Sequence, residues 1–241
     1  METIAIISDI HANHVALETV LSDLDRICPT QVVCLGDVAA TGPGPGEVIR
    51  KLLSRDWKFV RGNCDDAILR YAAGVTPPPG DEHFEIDQWC STQLSSRELA
   101  FVASFEPGVS FTVDDVSLCC YHGSPKSNLD ELLPTLPDDE VDRCLRGHSA
   151  MIYAGGHTHV QMVRRFREAY VINPGSVGLP FAFDRDSSEF KPLWAEYALV
   201  HIDQKELAVQ LRRIPVSAGA IHAAANESKM PHKSWWTSAW R

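Results

Sequence analysis

No two of the seven cysteines stand at the C-x-x-C spacing of a structural zinc or redox pair, and their number is odd. Reduced thiols in a cytoplasmic compartment are therefore the expectation. No apolar run is long enough to span a bilayer. The opening residues, Met1 to His11, lack the basic start, longer apolar stretch and small-residue cleavage site of a secretory signal. Neither a membrane partner nor export is expected. Positive charge is also scarce: 22 Lys and Arg face 32 Asp and Glu, giving a net charge of −10. Such a surface is repelled by nucleic-acid backbones and anionic lipid, so groove binding to nucleic acid is not expected. Phosphate chemistry survives this exclusion, because bound divalent cations reverse the sign of a cleft locally. Internal repeats and low-complexity tracts are absent too, and 241 residues suit one large layered α/β domain spanning 1–241.

What is present begins with a run of parallel-strand signals. Ile4 to Ser8 is nearly continuous apolar text, as in a strand covered on both faces. Leu17, Val20, Leu21, Leu24 and Ile27 follow at three- and four-residue spacings and predict a helix with one buried stripe. Gln31 to Leu35 predicts the next strand. Gly42 to Gly46 marks a tight loop in which Pro45 opens a helix through Val48, Ile49, Leu52 and Leu53, and Trp57 to Arg61 predicts a third strand. This alternation implies right-handed crossovers and a parallel sheet. From about 66 to 105 the text turns helical, broken at Thr76 to Gly80, and predicts a helical insert. Further strands are expected at Val116 to Tyr121, Met151 to Ala154, Tyr170 to Asn173, Tyr197 to Asp203 and Glu206 to Arg213. The last two are separated only by Gln204 and Lys205 and are read as antiparallel. Ala218 to Asn226 predicts a final helix within a tail of about 217–241.

The apolar runs end in metal-ligand residue types: Asp9-Ile10-His11, Gly36-Asp37, Gly62-Asn63, His122-Gly123 and Gly156-His157-Thr158-His159. In open α/β sheets ligands gather where the carboxyl ends of strands stop. Singly, Asp9, Asp37 and Asn63 also fit ordinary turn chemistry, and His122 a hydrogen-bonded interior histidine. Together they demand one explanation. Carboxylate, amide and imidazole donors in one set suit Mn²⁺, Fe²⁺, Zn²⁺, Co²⁺ or Ni²⁺ better than Ca²⁺.

The order D-x-H, G-D, G-N, H-G, G-H-x-H resembles the calcineurin-like metallophosphoesterase superfamily over nearly the full chain. Arg61 to Asp65, His122 to Pro125 and Asn173 to Val177 are most similar to its small bacterial and archaeal branch of YfcE-type phosphodiesterases. The resemblance implies a four-layer α/β/β/α sandwich with a dinuclear metal centre at the strand ends. It implies Asp9, His11, Asp37 and His159 around one divalent ion and Asp37, Asn63, His122 and His157 around the other, with manganese favoured. Asp37 is then the bridge, its charge offsetting repulsion between cations about 3.5–4 Å apart. The implied reaction is in-line attack on phosphorus by a metal-bridging hydroxide, hydrolysing a phosphodiester or phosphomonoester of a small substrate. Arg61 and Asn13 are phosphate-side candidates, with a solvated charge and a helix cap as their plainer readings.

One departure stands out. Many members carry histidine after the ligand asparagine, where it assists the leaving group; here that residue is Cys64. Asp37, Asn63, Cys64 and Arg61 are accordingly the candidate catalytic set, with preference expected for acidic leaving groups. His14 is a candidate substitute proton donor. Trp235, Trp236 and Trp240 serve a subunit contact in a homo-oligomer, a flap over the cleft, or a tail folded onto its own domain. Dinucleoside polyphosphate hydrolysis, protein dephosphorylation and a non-catalytic metal-binding scaffold are the competing functions that the resemblance allows. Among the enzyme readings, substrate choice would rest with the Thr41 to Gly46 loop and the helical insert.

Overall fold

The structure is a computed structural model that describes residues 1–204 and 206–241; Lys205, half of the connection read between the last two strands, lies outside the described residues. In chain order the elements begin β1 (Glu2–Ile7), α1 (His14–Ile27), β2 (Gln31–Cys34), α2 (Pro45–Leu52) and β3 (Lys58–Phe59). The helical region follows as α3 (Asn63–Ala72), α4 (Glu82–Thr92) and α5 (Ser96–Ala103). Next come β4 (Gly108–Val113), β5 (Val116–Tyr121), α6 (Asp138–Leu145), β6 (Ile152–Ala154), β7 (Met162–Phe166) and β8 (Ala169–Asn173). The chain closes with β9 (Ala182–Phe183), β10 (Glu189–Phe190), β11 (Trp194–Asp203), β12 (Glu206–Pro215), α7 (Ala218–Glu227) and α8 (Lys233–Thr237).

Two five-stranded sheets carry the fold, ordered β12-β11-β1-β2-β3 and β4-β5-β6-β8-β7. In the first, β1, β2 and β3 are parallel and β11 and β12 antiparallel; in the second, β5, β6 and β8 are parallel and both edges antiparallel. Side-chain alternation along each strand sorts the residues into layers. Ile4 and Ile6 of β1 meet Leu118 and Cys120 of β5 in a core between the sheets. Ala5 and Ile7 face outward into a larger core with Leu17, Val20 and Ile49 of the helices. On the far side, Cys119, Tyr121 and Tyr153 pack with Val141 and Leu145 of α6. The adjacent cysteines thus serve two different cores. The outcome is the expected four-layer α/β/β/α sandwich.

The third strand is shorter than predicted, Lys58–Phe59 in place of Trp57 to Arg61: Val60 N–H still donates to the Cys34 carbonyl of β2 at 2.8 Å, but Val60 also bridges Glu106 and Arg61 N–H donates to the Glu106 carbonyl at 2.7 Å. β4, β7 and α6 were not expected. β4 and β7 are sheet edges that carry polar side chains, Ser110 and Thr112 on the exposed face of one and Arg164 and Arg165 on the two faces of the other, and charge at an edge keeps it from pairing further. α6 buries only Val141 and Leu145, too narrow a stripe to signal a helix. The tryptophan tail folds back on its own chain: Trp236 is fully buried and its indole N–H donates to the Thr41 carbonyl over 2.6 Å.

Candidate metal centre

Each of the anticipated residues follows the carboxyl end of a strand: Asp9 and His11 after β1, Asp37 after β2, Asn63 after β3 at the start of α3, His122 after β5, and His157 and His159 after β6. The loops are sewn to one another through the backbone. His11 N–H donates to the Asp37 carbonyl at 2.9 Å, Asp9 N–H to Gly36 at 3.0 Å, and Gly156 N–H to His122 at 2.8 Å. Two close approaches need glycine. A Cβ on Gly62 would overlap the Asp37 carboxylate, and one on Gly156 would overlap Ser8 Oγ. Asp9, His11, Asp37, His157 and His159 all adopt left-handed backbone, with φ between 47° and 65°. Asp and His tolerate this region better than branched residues, and such strain clusters at functional sites.

Side-chain atoms converge accordingly. His159 Nε2 lies 3.3 Å from Asp9 Oδ1, His122 Nε2 lies 3.3 Å from Asp37 Oδ2, and Asn63 Oδ1 is 3.0 Å from His122 Nε2. His11 Nε2 is 3.1 Å from His159 Nε2 and 3.9 Å from Asp37 Oδ2. Among the described residues three ligand groups form, each with donor atoms within 4.8 Å of one another: Asp9, His11 and His159; Asp37, His122 and His157; and His11, Asp37 and Cys64. The first two are the cores of the two anticipated ligand sets. The third places Cys64 at ligand distance as well. Backbone carbonyls orient the rings, Leu35 for His122 at 2.7 Å and Leu179 for His159 at 2.6 Å, leaving the Nε2 atoms to face the cluster.

Burial and charge then work against each other. Desolvation favours neutral groups, yet the Asp37 charge and hydrogen bond overcome it at His122 and push its pKa up to about 10. His159 is raised in the same sense by Asp9, against the burial penalty. Asp37 in turn is held well below the carboxylate range, burial being outweighed first by the His122 charge. His11 goes down to about 4, through burial and the His159 charge. Burial and the Asp37 charge keep the Cys64 thiol well above its ordinary value. The cluster therefore stabilises positive charge between Asp9 and Asp37. The donor set suits a cation there: Asp9 Oδ1 is completely buried and meets imidazole nitrogens without a well-formed hydrogen bond, His159 Nε2 at 3.3 Å, His11 Nε2 at 3.8 Å and His122 Nε2 at 3.9 Å.

Other predicted residues are placed differently. Asn13 is the cap of α1, accepting from Ala16 N–H at 3.1 Å, and its amide donates to Gly178 O. Arg61 donates to the Ala103 and Phe105 carbonyls, at 2.6 and 2.8 Å, fastening the end of β3 to the end of α5. Its side chain also lines a cavity of about 320 Å³ with Ser124, Lys126 and Asn128. His14 opens α1 and rests against Gly44. Supporting residues emerge whose roles sequence order does not reveal. Asp65 accepts from the N–H groups of Asp37, Val38 and Gly62, each at 2.9 Å. Asn173 donates to Gly156 O, and Ser176 to Asp9 O, both at 2.8 Å. Both belong to conspicuous motifs, which is the signal that could have found them.

Residues 2–205 match the profile of the calcineurin-like phosphoesterase superfamily domain. An uncharacterized protein of Methanocaldococcus jannaschii is 25% identical over 95% of this chain and 93% of its own length. A metallophosphoesterase of Sphaerobacter thermophilus superposes with a TM-score of 0.74 at 26% identity, over 98% of this chain and 99% of that one. A hypothetical protein of Pyrococcus horikoshii shares the fold, with a TM-score of 0.81 at 18% identity over 97% and 96% of the two chains.

Proposed function

The chain belongs to the calcineurin-like phosphoesterase superfamily, and from that premise we propose that it hydrolyses phosphodiester or phosphomonoester bonds of small substrates at a dinuclear centre. Asp9, His11, Asp37 and His159 would hold one divalent transition ion, and Asp37, Asn63, His122 and His157 the other, with manganese favoured. The observation that carries this reading is the convergence of Asp9, His11 and His159 in one ligand group and of Asp37, His122 and His157 in another, with Asp37 also within ligand distance of His11. When bound, such ions supply Lewis acidity, lowering the pKa of water toward about 7 and polarising phosphoryl oxygens.

The protein's own contribution is preorganisation. Asp65 fixes the Asp37 and Gly62 loops through three backbone N–H groups, and Asp37 Oδ1 accepts from Cys64 N–H at 2.8 Å, so the bridging carboxylate has one defined orientation. Leu35 and Leu179 select the histidine tautomers. Arg61 and Lys126 line a cavity together with Asp66, whose carboxylate lies 3.8 Å from the Arg61 guanidinium, and a substrate phosphate there would meet both cations. Cys64 brings no imidazolium to a leaving group, and burial and the Asp37 charge hold its thiol above the ordinary range in the metal-free protein. Esters whose leaving groups need no protonation are therefore the better substrates.

The test is turnover of bis-p-nitrophenyl phosphate and p-nitrophenyl phosphate with Mn²⁺, Ni²⁺ or Zn²⁺. Activity abolished by chelator and restored by metal is expected. Tightly held metal without turnover of either ester would overturn the proposal in favour of a binding scaffold.

A further inference from the structure

A short hairpin beside the metal centre carries an aromatic surface that neither the fold nor the proposed ligand sets use. Phe181 lies 5.8 Å from the His159 ring, centroid to centroid, and Phe183 meets Phe181 edge-on at 5.9 Å and 80°. Phe183 belongs to none of the three core clusters of the described residues and is 62% exposed. A lone exposed phenylalanine is ordinary. This one sits on a row of rings that starts at a proposed ligand, His11 to His159 to Phe181 to Phe183.

The hairpin is also held in place. β9 pairs with β10, and Asp184 closes the turn by accepting from Asp186 and Ser188 N–H, both at 3.0 Å. Arg241 binds the Asp184 carboxylate at 2.6 Å and lies over Phe190. Lys191 exchanges backbone hydrogen bonds with Ala239 and Arg241, and its ammonium donates to Trp236 O at 3.1 Å. The buried tryptophan tail thereby anchors the hairpin, and with it the orientation of Phe183. A ring held in one orientation offers a preorganised face, and nucleobases stack on such aromatic faces.

We infer that Phe183 is a stacking platform for the base of a nucleoside phosphate substrate, and hence a specificity-determining residue. This rests on the phosphoesterase reading above. A phosphoryl group at the metal centre places a directly attached aryl ring near His159 and Phe181; reaching Phe183, one ring further out, takes a spacer such as a sugar. Stacking of a base on an aromatic side chain tolerates any base, so the platform selects for nucleosides as a class.

The experiment measures, by calorimetry on Mn²⁺-loaded protein, the affinities of the non-hydrolysable phosphonate analogues of adenosine 5′-monophosphate, ribose 5-phosphate and phenyl phosphate. The first two differ only in the base. The wild-type protein is expected to bind the nucleotide about tenfold or more tighter than the sugar phosphate, and Phe183→Ala to remove most of that ratio. Phe183→Trp keeps the ratio, and the ratio of phenyl phosphate to ribose 5-phosphate does not follow Phe183→Ala. A wild-type nucleotide preference near one, or one unchanged in Phe183→Ala, overturns the platform. So does a wild-type dimer that Phe183→Ala turns into a monomer by light scattering, since the ring then serves a second copy of the chain. Failure of the phosphoesterase reading looks different: metal-loaded protein that binds none of the three compounds and turns over no p-nitrophenyl ester.

Discussion

At the scale of single residues, the site is a set of side chains held in backbone conformations that cost energy. Left-handed φ at Asp9, His11, Asp37, His157 and His159 persists because loop-to-loop hydrogen bonds over-determine it. Asp37 is the residue on which both proposed ligand sets depend. Asp37→Asn is expected to lose bound metal and turnover together, checked by elemental analysis alongside the assay. Cys64 is the proposed determinant of the leaving-group preference. Since a positioned general acid contributes about 10²–10⁴-fold, Cys64→His should raise the rate on alkyl esters relative to p-nitrophenyl esters by at least about tenfold; an unchanged ratio would remove Cys64 from that role. Asp87 supplies a pH signature. Burial, with the nearby Asp37 charge, raises its pKa to about 7 despite the 2.7 Å bond from Thr41 Oγ1. The folded protein therefore holds a proton that the unfolded chain, with a pKa near 3.9, releases, and this contribution weakens as pH rises from about 4 to 7. In metal-free protein, Asp87→Asn should raise Tm at pH 8 by more than at pH 5. Ligand identities were legible because carboxylate, amide and imidazole types recur after apolar runs. The parts played by Asp65 and Asp87 were not, since they depend on which loops their carboxylates meet.

At the scale of elements, periodicity revealed what is buried on one stripe or on both faces, and missed what is not. β1 and α1 were legible for that reason. β4 and β7 were not, because an edge strand with Ser110, Thr112, Arg164 and Arg165 reads as a loop. The tail shows the same limit: three tryptophans announce large apolar area, but only the folded chain reveals that Trp236 fills the outer core and bonds the Thr41 carbonyl. Trp236→Ala should destabilise the protein by about 3–5 kcal/mol, as for large core truncations, read from the denaturant midpoint at constant slope. A shift below about 0.5 kcal/mol, typical of surface positions, would mean that the tail is not packed as described. A smaller effect belongs to α5, where Ser95 and Glu98 form a capping box; Ser95→Ala should cost about 1 kcal/mol in the same measurement.

At the scale of the whole molecule, a chain of net charge −10 has little long-range attraction for phosphorylated substrates. The account assigns that attraction to cations concentrated where two sheets end together. A parallel sheet was legible from the strand order, the four layers from the family resemblance, and the convergence from the residue types at the strand ends. Which sheet each strand joins was not, because pairing across long sequence separations leaves no local pattern; β1 with β11 is the plainest example. No helix among the described residues is long and apolar enough to cross a membrane. The central claim, a pair of ions gathered by seven side chains from five loops, is tested most directly by adding Mn²⁺ stepwise to chelator-stripped protein. Bound metal and bis-p-nitrophenyl phosphate turnover are followed in the same samples. Turnover that rises to its plateau as binding reaches two ions per chain is the predicted result. Turnover that is already complete in the stripped protein, or binding that saturates without reaching two, would contradict it.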